Sequence, residues 1–388
     1  MVNVGLIGCG QWGSELIRVF HEGGRSNVTA VCDTDIGRLN VIRGRFPAAE
    51  TFTEWRELLT RDDLTLIVVA TPLDSHYAIA REAIRHGKQV LVETPFTQDA
   101  AQAQELVELA NREGVLLAVD FTSLLSPEIQ YVREMIESGE FGELNFVDSL
   151  RTSIGSIERQ ADVMLDLASH ELAMIEFVTG RGANGVLATG SCHAESGQVD
   201  VAYINLDYGD GMMANIHVNR LVPVQSHRLM IGGTRKTIVM DDLFADGRIR
   251  VYRGEVGDGD AVGNGSIFGS TPLMIRQGDV LIPKLSSQDA LTAVVHHVTS
   301  AITEGTPLMI DGRLGCSVMR ILELCQRSLY EDFGRLLKET SAPASSILMT
   351  ASKDAAGIAS APGGVMSVAG RDSMIIEHEV AVQSAVAP

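Results

Sequence analysis

The sequence predicts an α/β region with a parallel sheet, followed by an α+β region built on an open-faced, mostly antiparallel sheet. Three observations predict this. Up to about Phe121, short apolar runs alternate with amphipathic segments, as in a parallel sheet covered by helices on both faces. A glycine-rich stretch, Gly8-Cys9-Gly10-Gln11-Trp12-Gly13, separates the first apolar run from the first helix. Beyond Phe121, strands follow one another through short turns such as Tyr208-Gly209-Asp210-Gly211, which implies antiparallel pairing.

In order, Val2 to Ile7 reads as a buried strand and Ser14 to His21 as the start of a helix. Strands follow at Val28 to Cys32 and Leu64 to Ala70, then a helix from Ser75 to His86 and a strand from Gln89 to Val92. A helix from Ala100 to Glu113 and a strand from Val115 to Val119 complete the first region. The second begins with a helix from Pro127 to Ser138, a strand from Asn145 to Arg151 and a helix from about Val163 to Thr179. Five strands come next, at 185–192, 199–208, 212–219, 227–231 and 236–240. The stretch 251–278, rich in glycine and aspartate, reads as a long loop, and helices follow at about 287–304 and 314–336. The domains expected are 1–122, 123–338 and a tail, 339–388. The tail is rich in Ala, Ser, Gly and Pro and is expected to be largely disordered, with 373–376 apolar enough for a short docked strand.

The formal charge is −19, from 31 basic and 50 acidic residues among 388. An acidic surface disfavours polyanionic partners, so neither nucleic acid nor a membrane surface is expected. The cysteines Cys9, Cys32, Cys192, Cys316 and Cys325 are scattered, with no metal-ligand spacing. They read as reduced thiols of a cytoplasmic protein, and no metal is expected. The N-terminus carries no secretory pattern and no run is long enough to span a bilayer.

A lone GxGxxG is a weak signal, but here it follows a strand and opens a helix. Gly8 permits a tight turn, Gly10 lets a pyrophosphate approach the backbone, and Gly13 lets helix and strand pack closely. The helix N-terminus offers free N–H groups to phosphate. Asp33 lies about 20 residues beyond Gly13, at the end of the second strand. A carboxylate there accepts hydrogen bonds from a ribose 2′-hydroxyl and repels a 2′-phosphate. The expected cofactor is therefore NAD rather than NADP, held in a Rossmann domain. Trp12 is expected to pack at the loop–helix junction beside it.

Several segments taken in order resemble the glucose–fructose oxidoreductase/inositol dehydrogenase (Gfo/Idh/MocA) family. They are Val4-Gly5-Leu6-Ile7-Gly8-Cys9-Gly10, Val31-Cys32-Asp33, Ala70-Thr71-Pro72 with His76, and Gly87 to Pro95. Ile136 to Gly142 and Asp166-Leu167-Ala168-Ser169-His170 continue the likeness, which covers most of 2–336. Gly278 to Leu285 and Asp311-Gly312 are similar to the branch that oxidises sugar nucleotides at the C3 hydroxyl. The resemblance implies hydride transfer between nicotinamide and a sugar or cyclitol hydroxyl, with a catalytic histidine on a helix. It gives Gly8, Gly10, Gln11, Trp12, Gly13, Asp33, Thr71, Pro72, His76 and Glu93 as cofactor residues. The catalytic candidates are His170, Asp166 and Thr94. Arg151, Asp162 and Lys284 are the candidate substrate-binding residues.

Two departures stand out. The family pattern Glu-Lys-Pro is here Glu93-Thr94-Pro95. A lysine would place positive charge on the developing alkoxide and help relay the proton, which the short neutral Thr94 cannot do. The branch often carries Gly-His-Thr-Phe where this chain has Asp120-Phe121-Thr122, which puts Phe121 in the histidine position. Asp166 and His170 share a helical face at i, i+4. On spacing alone they fit a structural pair; with the resemblance, Asp166 is expected to orient the imidazole and raise its pKa. The leading expectation is an NAD-dependent dehydrogenase of a sugar nucleotide or related polyol. Loss of the lysine leaves two alternatives, a non-catalytic homologue that serves a partner enzyme and an imine (C=N) reductase. Val201, Tyr203, Ile204, Leu206, Ile216 and Val218 are expected to form an apolar open sheet face that drives a homodimer or homotetramer.

Overall fold

The computed structural model describes residues 1–153, 162–193, 197–244, 248–258 and 273–331. The tail expected beyond 339, including its short strand, lies outside the described residues.

The N-terminal region runs β1 (Val2–Ile7), α1 (Gln11–Glu22), β2 (Ser26–Cys32), α2 (Ile36–Arg45), β3 (Glu50–Phe52), α3 (Trp55–Leu59), β4 (Leu66–Val69), α4 (Leu73–Arg85), β5 (Gln89–Val92), α5 (Ala100–Glu113) and β6 (Leu117–Val119). Its strands form one parallel sheet in the order β3-β2-β1-β4-β5-β6. The order reverses between β1 and β4. A crevice for a ligand opens at that switch point, outside the carboxyl ends of the strands. The strands are apolar because both faces are covered: every residue of β4 is buried.

The sequence pattern missed α2, β3 and α3. The α2 segment carries Gly37 and Gly44 and exposes Ile36 and Val41, so only Leu39 and Ile42 mark a buried stripe. The helix is started instead by Asp35, whose carboxylate accepts the N–H groups of Gly37 and Arg38.

After a short 3₁₀ turn at Thr122–Leu125 come α6 (Pro127–Glu137), β7 (Leu144–Thr152), a π-helical turn at Met164–Ala168 and α7 (Ser169–Thr179). Then follow β8 (Gly185–Ser191), β9 (Val201–Asp207), β10 (Met213–Asn219), β11 (Ser226–Gly233), β12 (Lys236–Asp241), β13 (Ile249–Asp258) and β14 (Leu273–Leu281). They build a second sheet in the order β14-β13-β12-β11-β7-β10-β9-β8. All its neighbours are antiparallel except β7 and β10, which the chain joins in parallel after crossing over through α7.

Three expectations are corrected here. The long loop at 251–278 is bounded by two strands, β13 and β14. Glycines inside them, with an irregularity between Tyr252 and Gly254, hid the pattern. The single helix expected from Val163 is a π-turn that passes into α7. The apolar residues expected on the open face lie on both faces. Ile204, Leu206, Ile216 and Val218 are buried, whereas Tyr203 on the other face is 45% exposed. Alternation along a strand makes this unavoidable, since successive side chains point to opposite sides.

The chain then returns to the first sheet through α8 (Ala290–Glu304) and α9 (Gly312–Glu331). α8 packs on α1 and α9 packs on α5. The backbone N–H of Val119 donates to the carbonyl of Ile310 at 2.9 Å. Gly312 and Gly315 permit the approach, because a Cβ there would press on Leu117 and on Val119 and Phe96. Ser317 of α9 also donates to Glu176 of α7 at 2.7 Å. The two sheets are thus tied at the strand ends where the crevice opens.

Candidate active site

The crevice has two connected parts. The first is a groove over the β1–α1 loop, lined by Gly8, Gly10, Gly13, Asp33, Arg38, Trp55 and Pro72 among others. Gly8 has φ +100°, and a Cβ there would sit 2.3 Å from the carbonyl oxygen of Ala70. A Cβ on Gly13 would meet the Gly8 carbonyl oxygen at 1.9 Å, while nothing lies within 4 Å of one on Gly10. Gly8 and Gly13 therefore allow close packing, and Gly10 leaves space above the loop. Gly10 also begins α1 with no side-chain cap. The first N–H groups of that helix are thereby left to a phosphate.

Asp33 follows β2, with one carboxylate oxygen accepting the Cys9 N–H at 2.6 Å and the other the Asp35 N–H at 2.8 Å. Arg38, on α2, comes within 3.6 Å of Asp33. These residues fit a dinucleotide: a glycine cradle for pyrophosphate, and a fixed carboxylate for a ribose diol.

The second part is a cavity of about 620 Å³ that shares Gln11, Trp12, Ala70 and Thr71 with the groove. It is further lined by Glu93, Thr94, Asp120, Thr122, Ser123, Arg151, Asp166 and His170. Glu93 and Asp120 come from the ends of β5 and β6, and His170 from the first turn of α7. The Thr94 hydroxyl lies 3.2 Å from His170 Nε2, and the Thr94 N–H donates to Glu93 Oε2 at 3.2 Å. Phe121 sets its ring edge-on to His170, 6.4 Å between centroids.

Charge on the cavity wall is arranged by buried partners. Glu171, adjacent to His170, is fully buried and accepts from Arg151 at 2.9 Å, from His227 at 3.1 Å and from the Ser149 hydroxyl. Burial alone would push Glu171 up, but His227 and Arg151 hold it well below the ordinary carboxylate range. Burial pulls His227 down, yet Glu171 outweighs it and His227 ends above its usual value. His170 goes the other way. Burial and then the Arg151 charge lower it to about 4, so it is neutral near pH 7. The expectation that Asp166 would raise it is overturned. Asp166 and Glu171 do favour the protonated form, but desolvation and Arg151 oppose them more strongly. Asp166 pairs with Arg220 at 2.7 Å.

The description "oxidoreductase family, NAD-binding Rossmann fold" matches residues 2–121, and the GFO/IDH/MocA C-terminal domain matches residues 129–239. The chain belongs to the GFO/IDH/MocA oxidoreductase family. It is an NAD-binding oxidoreductase. It is 26% identical over 258 residues to the UDP-N-acetylglucosamine 3-dehydrogenase of Acidithiobacillus ferrooxidans, covering 66% of this chain and 76% of that one. It is 25% identical over 225 residues to an inositol 2-dehydrogenase of Corynebacterium glutamicum, covering 56% and 67%. GenD2 from gentamicin A biosynthesis, solved in complex with NAD, shares the fold with a TM-score of 0.71 at 22% identity, covering 85% of this chain and 94% of that one.

Within this GFO/IDH/MocA fold, the expected cofactor residues Gly8, Gly10, Gln11, Trp12, Gly13, Asp33, Thr71 and Pro72 all line the groove, and Glu93 lines the cavity. His76 does not. It is buried behind the wall, its ring nitrogens 2.7 Å from the Thr71 carbonyl and 2.9 Å from that of Pro95. It fixes the backbone that carries Thr71 and Thr94. Trp12 is 46% exposed rather than packed away, and it faces both cavities. Of the substrate candidates, Arg151 reaches the cavity. Asp162 instead accepts the N–H groups of Met164 and Leu165, at 3.0 and 2.9 Å, and caps the π-turn. Lys284 is exposed and lines neither cavity.

The sequence reading missed Asp120, Glu171, Arg220 and His227. Two of these left a signal. Asp120 is a carboxylate closing an apolar parallel strand, where such folds place ligand residues. Glu171 begins an otherwise apolar helical run, Leu172-Ala173-Met174-Ile175, which marks a charge that needs a buried partner. Among the described residues no His, Cys, Asp or Glu cluster fits a metal ion, and no helix is long and apolar enough to cross a membrane.

Proposed function

We propose that this chain transfers a hydride between NAD(H) and a hydroxyl or keto group of a sugar nucleotide or related polyol, in the cavity beyond Trp12. The observation that carries the reading is the Thr94–His170 contact at 3.2 Å on the cavity wall, beside the loop that binds the cofactor. NAD, when bound, supplies the hydride acceptor. The protein's part is to hold the reacting oxygen. His170 is neutral near pH 7, so its ring nitrogen has a lone pair to accept the hydroxyl hydrogen bond. The Thr94 hydroxyl donates a second bond where the family lysine would stand. Arg151, fixed by Glu171, presents a guanidinium to an anionic or polyhydroxylated substrate. The names of the relatives, a sugar-nucleotide dehydrogenase and an inositol dehydrogenase, agree with that class.

The test is a panel of nucleotide sugars and inositols, assayed with NAD and with NADH plus the keto forms. Turnover of at least one sugar nucleotide above the solvent background is expected. No hydride transfer to any of them would favour the reading of an NAD-binding partner protein. Thr94→Lys is the complementary variant. A new ammonium next to Glu93 should stabilise an alkoxide and raise a dehydrogenase rate, but should leave an imine reductase unchanged or slower. The proposal includes a homodimer or homotetramer through the second sheet. Leu187, Tyr203 and Met213, each exposed by 45% or more, lie on its open face. A monomer by light scattering at micromolar concentration would remove that part.

A further inference from the structure

Beneath Thr94 lie two carboxyl groups that hydride transfer to a hydroxyl does not explain. Glu93 and Asp120 sit at the ends of neighbouring parallel strands, where Val92 pairs with Val119. Both line the cavity. One oxygen of each is engaged: Glu93 Oε2 accepts the Thr94 N–H at 3.2 Å, and Asp120 Oδ1 accepts the Thr122 hydroxyl at 2.6 Å. The other two, Glu93 Oε1 and Asp120 Oδ2, are buried and have no hydrogen-bond partner among the described residues. The two carboxyls are close enough to act on each other's charge, and Trp12 lines the same cavity.

Among the described residues no cation answers them. From α1 comes Trp12 and from the turn after β6 come Thr122 and Ser123, all uncharged. From α7 comes His170, neutral near pH 7, and His76 behind the wall is pushed down by burial. Across the cavity, Arg151 is paired with Glu171, and Asp166 with Arg220. Where the resembled pattern has an ammonium, Thr94 supplies none. Two adjoining carboxyls without a counter-charge do not both ionise. Burial and the neighbouring Asp120 push Glu93 well above the ordinary carboxylate range.

We propose that Glu93 and Asp120 share a single proton and discriminate the oxidised from the reduced cofactor, releasing that proton when the cationic nicotinamide of NAD⁺ binds. The groove and the cavity meet at Gln11, Trp12, Ala70 and Thr71. A dinucleotide anchored at Asp33 would therefore extend its nicotinamide end toward this pair. The oxidised ring carries a positive charge and the reduced ring none. A cation beside the pair favours its ionised form, and by linkage the ionised pair binds NAD⁺ more tightly. This inference rests on NAD binding and not on the identity of the substrate.

Calorimetry of the full chain at pH 7, in two buffers of different ionisation enthalpy, counts protons released on binding. NAD⁺ should release a large fraction of one proton and NADH close to none. The pyrophosphate and both riboses are common to the two ligands and cancel in the comparison. NAD⁺ affinity should rise with pH by up to about tenfold per unit while the pair titrates, with NADH affinity flat. Glu93→Gln and Asp120→Asn should each abolish the proton release, while an unchanged circular dichroism spectrum and a cooperative melting transition show that the variants are folded. Equal proton counts for NAD⁺ and NADH in the wild type would overturn the proposal, and so would release that persists in both variants. If a variant does not fold, the wild-type comparison of the two redox forms still decides.

Discussion

The groove and the cavity lie side by side and share a wall, yet they are built in different ways. The groove is built from backbone: glycines that permit close approach, a helix N-terminus, and an Asp33 whose oxygens are both fixed by N–H groups. The cavity is lined by side chains whose charges depend on their neighbours. Glu171 is held ionised, His227 is raised, His170 is lowered and Glu93 is raised. A backbone site tolerates little change in residue size. A side-chain site tolerates changes in size but not the loss of a charge partner.

The largest expected effect follows from that difference. Glu171→Leu would strand the Arg151 and His227 charges in the interior. Removing one partner of a buried ion pair costs about 3–5 kcal/mol. Urea unfolding should show the unfolding free energy falling by that amount; a loss below about 1 kcal/mol would mean that the network is solvated and carries little. Next comes Gly8→Ala. Its methyl would press on the Ala70 carbonyl at a positive φ, so about 1–3 kcal/mol of strain is expected, together with loss of NADH binding by fluorescence. Unchanged NADH affinity would break the backbone account of the groove. Asp33→Ala is expected to weaken NADH by roughly tenfold, the value of one hydrogen bond to a charged group, and to narrow its advantage over NADPH, helped by the nearby Arg38. Tighter NADPH than NADH binding in the wild type would contradict the cofactor assignment.

The smallest effect sharpens the contrast inside the cavity. Nitrogen-15 NMR should find His170 neutral down to about pH 5 and His227 still protonated above its ordinary value of 6.5. The two contributions to stability have opposite signs. His227, raised in the folded state, contributes stability that is complete below pH 6.5 and is lost as pH rises through its folded pKa. His170, lowered to about 4, contributes a loss of stability as pH falls from 6.5 toward 4. Both rings titrating together near 6.5 would mean that Glu171 does not separate them.

The same contrast governs what the sequence reveals. The groove is legible because its chemistry is local. Gly8, Gly10 and Gly13 lie within one turn, and Asp33 closes the next strand, so spacing alone identifies them. β4, β5 and α5 are legible because continuous apolar runs and a clean helical period report burial directly. The cavity is legible only in part. Thr94 and His170 are 76 residues apart and meet only because β5 and α7 end at the same crevice. Asp162 was expected at the substrate and caps a π-turn instead, since a carboxylate two or three residues before a helical turn satisfies its free N–H groups wherever it lies. The partners that set these charges, Arg151 and His227 above all, come from β7 and β11 of the second sheet, and no spacing rule connects them to His170. The α2 and β13–β14 segments were hidden for a simpler reason: glycines inside an element blur its period.

The claim that the cavity carries out hydride transfer through His170 is tested most directly by single-turnover stopped flow. Wild type and His170→Ala are each mixed with NAD and the best substrate from the nucleotide-sugar panel, and NADH absorbance is followed while cofactor affinity is measured separately. The wild type is expected to form NADH in one exponential phase. The variant should be slower by roughly 10²–10⁴-fold, with NADH affinity within a few-fold because Gly8, Gly10, Gly13 and Asp33 are untouched. Equal rates in the two proteins would contradict the account.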